Sequence, residues 1–290
     1  MRARRRPGAA SSIVTLATLA TLATLATLAA GCGGDDGGAG DDTLGDAGAG
    51  ADATPGGDGA AENVDVYAHT ASALFRVDPQ SYAVTKIGDF QWPGGGDSMT
   101  DIAIDKDGLM IGVSYTRVYQ VDPGTAACTL LSDSLGGSFN GLSFVPSIYA
   151  TGADGADVLV GARNSDGKIF RVDPMTGATT EVGDMGAGFS SSGDIVAVTG
   201  FGMVATVPGS GNGDVLVRLA PTTFAATPIG AGTGFDTLWG VGYWKGKVFG
   251  FSAGGQLTVI DPATGVGTLI DSSGEAWWGA AVTTAAPVVN

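Results

Sequence analysis

KIFRVDPMTGATTEVG, residues Lys168 to Gly183, reads as a β-hairpin from end to end. Ile169 to Val172 alternates its side chains as a half-buried strand does. Asp173-Pro174 then opens a turn, because the proline ring fixes φ at the first central position and the aspartate can accept hydrogen bonds from the backbone ahead of it. Thr176-Gly177 supplies a residue that tolerates positive φ, and Ala178 to Val182 returns as the second arm. Four further stretches repeat the pattern: ALFRVDPQSYAVTKIG (Ala73 to Gly88), RVYQVDPGTAACTLLS (Arg117 to Ser132), VLVRLAPTTFAATPIG (Val215 to Gly230) and QLTVIDPATGVGTLID (Gln256 to Asp271). A spacing of about 40 to 50 residues between copies is the period of propeller blades.

Upstream of each of the four later hairpins lies a second pair of short apolar runs. Thr100 to Asp105 and Leu109 to Tyr115 flank the Lys106-Asp107-Gly108 turn; Gly141 to Val145 precedes Val158 to Arg163. Asp194 to Val198 precedes Gly202 to Val207, and Trp239 to Tyr243 precedes Lys247 to Phe251 across Lys245-Gly246. Each unit therefore holds four antiparallel strands, which is one blade. The chain ends complete the arithmetic. Val64 to His69 plus the first hairpin gives three strands, whereas Trp277 to Thr283 is a lone strand whose WWGAAV resembles LWGVGY at the head of the preceding unit. Together they predict a fifth blade, one strand from the C-terminus and three from the N-terminus, which closes the ring and removes both open sheet edges. The fold expected is all-β, a five-bladed propeller over residues 64–290.

Aligning the innermost strands places Asp101, Gly141, Asp194, Gly240 and Gly279 in one register, followed two positions on by Ala103, Ser143, Val196, Gly242 and Ala281. Small residues suit strands crowding around an axis. The repeat, an apolar-aromatic-x-apolar-Asp-Pro-x-Thr-Gly core behind a four-strand pattern, resembles the blades of extracytoplasmic bacterial propellers of the NHL and YVTN repeat groups. The resemblance covers about Val64 to Asn290 and implies architecture; those groups include binding proteins, scaffolds and some enzymes, so it carries no activity. Members of these groups often have six or seven blades, and this chain accommodates five.

Ahead of the propeller, Arg2, Arg4, Arg5 and Arg6 form a positive n-region and Ile13 to Ala30 is uncharged. Leu28-Ala29-Ala30-Gly31-Cys32 then resembles the lipobox of bacterial lipoproteins, with Leu28 one place further from the cysteine than is commonest. That resemblance implies a signal peptide over 1–31, lipidation at Cys32 and an exported chain anchored to a bacterial membrane, at the outer membrane or the periplasmic or cell-surface side. An ordinary signal peptide with Cys32 incidental is the alternative. Gly33 to Asn63 carries eight acidic residues, eleven glycines and no Lys or Arg. It cannot bury enough surface to offset its ordering entropy, and residues 32–63 read as a disordered tether. The formal charge of −15 grows more negative once the signal arginines are removed, which argues against nucleic acid as a partner. With Cys32 lipidated, Cys128 has no partner for a disulfide or a thiolate metal cluster and reads as a small buried hydrophobe. No convincing helix follows Cys32, and a monomer is expected.

The loops that join one blade's outer strand to the next blade's inner strand share a face with the loops between second and third strands. They are rich in Gly, Ser and Asp and carry aromatics. Candidate ligand residues on this face are Trp92, Asn140, Phe189, Phe235, Trp239, Trp277 and Trp278, with Asp101 and Asp194. Aromatics beside hydroxyls suit a sugar or an apolar ligand; plugs between neighbouring blades are the other reading. Asp101 and Asp194, two blades apart in the same register, should face each other across the channel mouth. Paired carboxylates there invite Ca²⁺ as a bound cation or glycoside hydrolysis by an acid and a base or nucleophile, with Asp97, Asp236 or Glu275 assisting; a solvated or backbone-capping role is the alternative. His69, the single histidine, excludes a paired-histidine lyase and sits near a strand end where a solvated or backbone-bonded ring is expected. The first functional reading is a non-enzymatic binding or scaffold module for a glycan or protein ligand, without a cofactor; the second is a glycosidase.

Overall fold

The computed structural model describes residues 65–272 and 274–289. The expected signal peptide, Cys32 and the tether lie outside the described residues. Strands β1 (Val66–His69), β2 (Ala73–Val77) and β3 (Val84–Asp89) come first. Next follow β4 (Asp101–Ile104), β5 (Met110–Val113), β6 (Val118–Val121) and β7 (Cys128–Ser132). The second complete unit holds β8 (Gly141–Val145), β9 (Val158–Ala162), β10 (Lys168–Val172) and β11 (Thr179–Asp184). The third holds β12 (Ile195–Val198), β13 (Gly202–Val207), β14 (Val215–Leu219) and β15 (Ala226–Ile229). The fourth holds β16 (Leu238–Trp244), β17 (Lys247–Ser252), β18 (Leu257–Ile260) and β19 (Gly267–Asp271), and β20 (Gly279–Ala281) ends the series.

These strands form five four-stranded antiparallel sheets, the last in the order β20-β1-β2-β3. Tyr67 pairs with Ala281, Ala68 with Ala280 and His69 with Gly279, so the two ends of the propeller share one blade as the strand count requires. The innermost strands neighbour one another in the order β4, β8, β12, β16, β20 and back to β4, which closes a five-bladed ring.

The repeated hairpin is built as its sequence dictates. The Asp173 carboxylate accepts the N–H groups of Met175 and Thr176 at 2.9 and 3.2 Å, and Gly177 N–H donates to the Asp173 carbonyl with φ at 68°. Asp78, Asp122 and Asp261 repeat the side-chain bond at 2.8 Å. The positive-φ position, however, is glycine only at Gly177 and Gly265; Tyr82, Ala126 and Phe224 fill it elsewhere. Left-handed φ costs an L-residue roughly 1–2 kcal/mol, while full burial of a Phe side chain contributes about 1.5–3 kcal/mol. Phe224 has no exposed surface, so burial outweighs strain there. Its ring lies over Gly183, where a Cβ would come within 2.6 Å of Phe224 and of the Thr223 carbonyl, so a bare backbone is required on the facing strand.

The core fills the clefts between blades. Trp277 is wholly buried and meets Phe75 at 5.2 Å and Phe251 at 5.6 Å, both edge to face, so one indole joins the closing blade to the fourth unit. Cys128 is buried, and burial pushes its thiol up to about 12, in keeping with a packing residue. A short helix, α1 (Ser147–Thr151), interrupts the link between β8 and β9, correcting the expectation of none. Pro146 pre-sets its entry and Gly152, at φ 79°, ends it; five residues are too few to leave an apolar period in sequence.

Beyond β20 the chain crosses the far end of the ring. Thr283 Oγ1 donates to the Asp105 carbonyl and Thr284 Oγ1 to Asp157, while the Thr199 and Lys245 N–H groups donate to the carbonyls of Thr284 and Pro287. Asp105, Asp157, Thr199 and Lys245 belong to four different units, so the tail ties the units together on that face.

Candidate functional site

Two carboxyls hold the axis. Asp101 Oδ1 accepts the Ile102 N–H at 2.8 Å and its Oδ2 accepts the N–H of Leu142 in the next blade. Asp194 Oδ1 accepts the Ile195 N–H at 2.8 Å, and its Oδ2 takes longer bonds from Val241 and Ala280, at 3.4 and 3.3 Å, in the two blades beyond. Each aspartate thus stitches inner strands together where every other blade offers glycine. At Gly279 a Cβ would run into both Asp101 and His69, which is why that register position is bare.

Both carboxyls are 0 % exposed. Desolvation raises the pKa of each, and the charge of Asp101 raises Asp194 further, well above the usual carboxylate range. His69 is also 0 % exposed rather than solvated, with Nε2 3.6 Å from Asp101 Oδ1. Its Nδ1 lies 2.9 Å from the Thr70 carbonyl, which can only accept, so Nδ1 carries a proton. Nε2 and Asp101 then face each other as two lone-pair groups unless a proton sits on one of them. The backbone-bonded reading of the histidine and the backbone-capping reading of the aspartates describe this layer. The two carboxyls do not stand free at the channel mouth: all four oxygens already accept backbone N–H groups, and both residues are fully buried. Among the described residues no group of three or more His, Cys, Asp or Glu is arranged to hold a metal.

Above this layer lies a cavity of about 430 Å³. Thr100, Asn140, Trp239 and Trp278 each stand one residue before the axial register, where the third unit has Gly193, and its contribution comes instead from Ser190, Ser191 and Ser192 just upstream. Tyr115, Asn164 and Pro208, from loops between second and third strands, complete the wall with Ser138 and Phe139. The Trp239 and Trp278 rings meet edge to face, with centroids 6.1 Å apart at 86°. Among the described residues no Asp, Glu, Lys or Arg lines the cavity. Ser191 and Ser192 donate to the Gly193 carbonyl and to Asp214, Thr100 donates to the Val113 carbonyl, and Asn140 Nδ2 donates to the Ser191 carbonyl. Burial raises the Asp214 carboxyl. Among the described residues, the side chains of Tyr115, Ser138, Asn164 and Ser190 make no hydrogen bond, and Tyr115 is 58 % exposed.

Of the residues singled out from sequence, Asn140, Trp239 and Trp278 line this cavity. Trp92 packs against Phe90 and Tyr119, Phe189 and Phe235 lie against inter-blade cores, and Trp277 is core. These four pack in the gaps between blades and lie outside this cavity. Asp97 receives the Tyr119 hydroxyl at 2.6 Å and faces Arg117 at 3.5 Å, while Asp236 and Glu275 are exposed. Sequence reasoning did not single out Thr100, Tyr115, Ser138, Asn164 or the Ser190 to Ser192 run. The position just before the inner-strand register was the signal that could have found Thr100; in the third unit that position is Gly193, so the serines carry no such mark.

The fold defines the class of this protein as a five-bladed β-propeller. No protein-family model matches the chain, and no curated protein matches it. Among solved structures it is similar to a chain of the nidogen/laminin complex, with a TM-score of 0.51 at 8 % identity over 76 % of this chain and 98 % of that one. Lower similarity is found to TolB from Acinetobacter baumannii (TM-score 0.40, 14 % identity, 72 % of this chain and 51 % of that one). Virginiamycin B lyase from Staphylococcus aureus gives TM-score 0.41 and 13 % identity over 69 % and 63 %. The chain thus spans about half the TolB chain. The likeness to the nidogen/laminin chain, at 8 % identity, bears on the fold alone.

Proposed function

We propose that this chain is an exported, lipid-anchored binding module, and that its propeller takes an uncharged ligand in the axial cavity. The observation that carries the reading is the composition of the wall: hydroxyls, amides and aromatics from all five blades, with no charged side chain, in a chain of formal charge −15. A cavity of this size lies within the range of small-molecule sites, roughly 300–1,000 Å³. Hydrolysis would need a carboxyl in contact with the scissile bond, and the two axial aspartates are buried beneath the cavity floor. The Arg2 to Arg6 n-region and the Leu28 to Cys32 stretch support the anchoring half of the reading.

Two experiments test the two halves. A ligand library screened by thermal shift should yield uncharged binders whose shift disappears in Trp278→Ala; binders insensitive to that change would overturn the cavity assignment. Fatty-acid labelling of the expressed protein should be lost in Cys32→Ser, and unchanged labelling would overturn the anchor.

A further inference from the structure

Resting on that assignment of the cavity, we infer that its ligand is the end of a neutral saccharide chain. Three features of the wall converge on this chemistry. Tyr115, Ser138, Asn164 and Ser190 offer side-chain groups that both donate and accept and that have no hydrogen-bond partner among the described residues. An apolar ligand would leave such groups unpaired wherever it expels water from them, which weakens its binding. A ligand dense in hydroxyls satisfies them. The second feature is the Trp239 and Trp278 pair, which brings indole surface to the same wall; the C–H faces of a pyranose ring need such apolar, π-rich surface while its edges need hydroxyl and amide partners. The third is electrostatic: an uncharged wall inside a strongly acidic protein gives uronates, sulfated sugars and nucleotides no counter-charge and a repulsive approach.

The shape adds a restriction on how the sugar enters. Beneath the cavity the axis is filled by His69, Asp101 and Asp194, which are fully buried and do not line it, and the tail ties down the opposite face. A chain cannot thread through; one or two terminal rings enter from the loop side while the rest stays outside. Free oligosaccharides and the ends of a surface polysaccharide share this chemistry.

The test is a glycan array spanning neutral linkages, followed by calorimetry with maltotriose, cellotriose and tri-N-acetylchitotriose, with trigalacturonate as the charged control. At least one neutral glycan should bind saturably, and trigalacturonate at least about tenfold more weakly. Trp239→Ala should weaken the neutral ligand about tenfold or more. Asn164→Asp, an exposed wall position where folding is not at stake, should weaken it measurably as well. A trisaccharide should bind as tightly per chain as the polymer that contains it; tighter binding of internal polymer segments would overturn end recognition. If no neutral glycan binds while other uncharged compounds do so through Trp278, the saccharide inference fails and the cavity assignment stands. If glycans bind but ignore Trp239→Ala and Asn164→Asp, both fail.

Discussion

Replacing Asp101 with alanine should loosen the joint between β4 and β8 at the centre of the ring. The side chain accepts the N–H groups of Ile102 and Leu142, both from residues with essentially no exposure. Each donor left unsatisfied in a buried site costs about 1–3 kcal/mol, giving roughly 2–6 kcal/mol for the two. Against this stands the relief of desolvating the carboxyl, since removal of a buried ionisable group recovers several kcal/mol of solvation. That relief is partial, because the same substitution strips His69 of its facing group at 3.6 Å. A net loss of about 3 kcal/mol follows, which for a domain of this size is a Tm decrease of roughly 6–12 °C. Urea titration followed by tryptophan fluorescence reads it directly, with an unchanged m-value showing that the loss is in stability. Asp101→Asn keeps one carbonyl acceptor and should lose about half as much. A loss below about 1 kcal/mol for alanine, or a larger loss for asparagine than for alanine, would refute the assignment of Asp101 as an inter-blade acceptor.

The raised Asp194 carboxyl binds its proton more tightly in the folded chain than in the unfolded one. Its stabilising contribution is therefore complete below the unfolded value of about 3.9 and is lost as pH rises through the folded value. Asp194→Asn should accordingly flatten the decline of Tm as pH rises above about 4; a slope identical to that of the parent protein counts against a raised carboxyl. Trp277→Ala should cost about 3–5 kcal/mol, as for other buried large-to-small changes, and differential scanning calorimetry showing less than about 1 kcal/mol would mean that the Phe75–Trp277–Phe251 contact does not hold the closing blade. Thr284→Val removes the hydroxyl that donates to the Asp157 carboxylate at 2.6 Å, and a charge-assisted bond contributes about 1.5–3 kcal/mol. Unaltered urea midpoints in that variant would show the tail to be passive.

The hairpins were legible because their chemistry is local. An Asp that bonds two N–H groups ahead, a Pro with fixed φ and an alternating arm act over a few residues, so Lys168 to Gly183 and its copies declare themselves without any tertiary partner. The same arithmetic revealed the split blade, because three strands at one end and one at the other leave edges that must pair. Where local rules failed, burial had overruled them: Tyr82 and Phe224 occupy positions that a turn rule assigns to glycine, and the inter-blade cleft that holds Phe224 exists only after the blades assemble.

Register alone placed Asp101 and Asp194 opposite one another, and by itself determined which residues crowd the axis. Depth was not in it. Whether a carboxyl at the inner end of a strand meets water or the backbone of the next blade depends on how closely five strands converge. That convergence set the aspartates and His69 as a buried layer and left the neutral ring of Thr100, Asn140, Trp239 and Trp278 to form the cavity above. A strand's sequence records its own alternation and turns, whereas a cavity is the space that several strands jointly fail to fill.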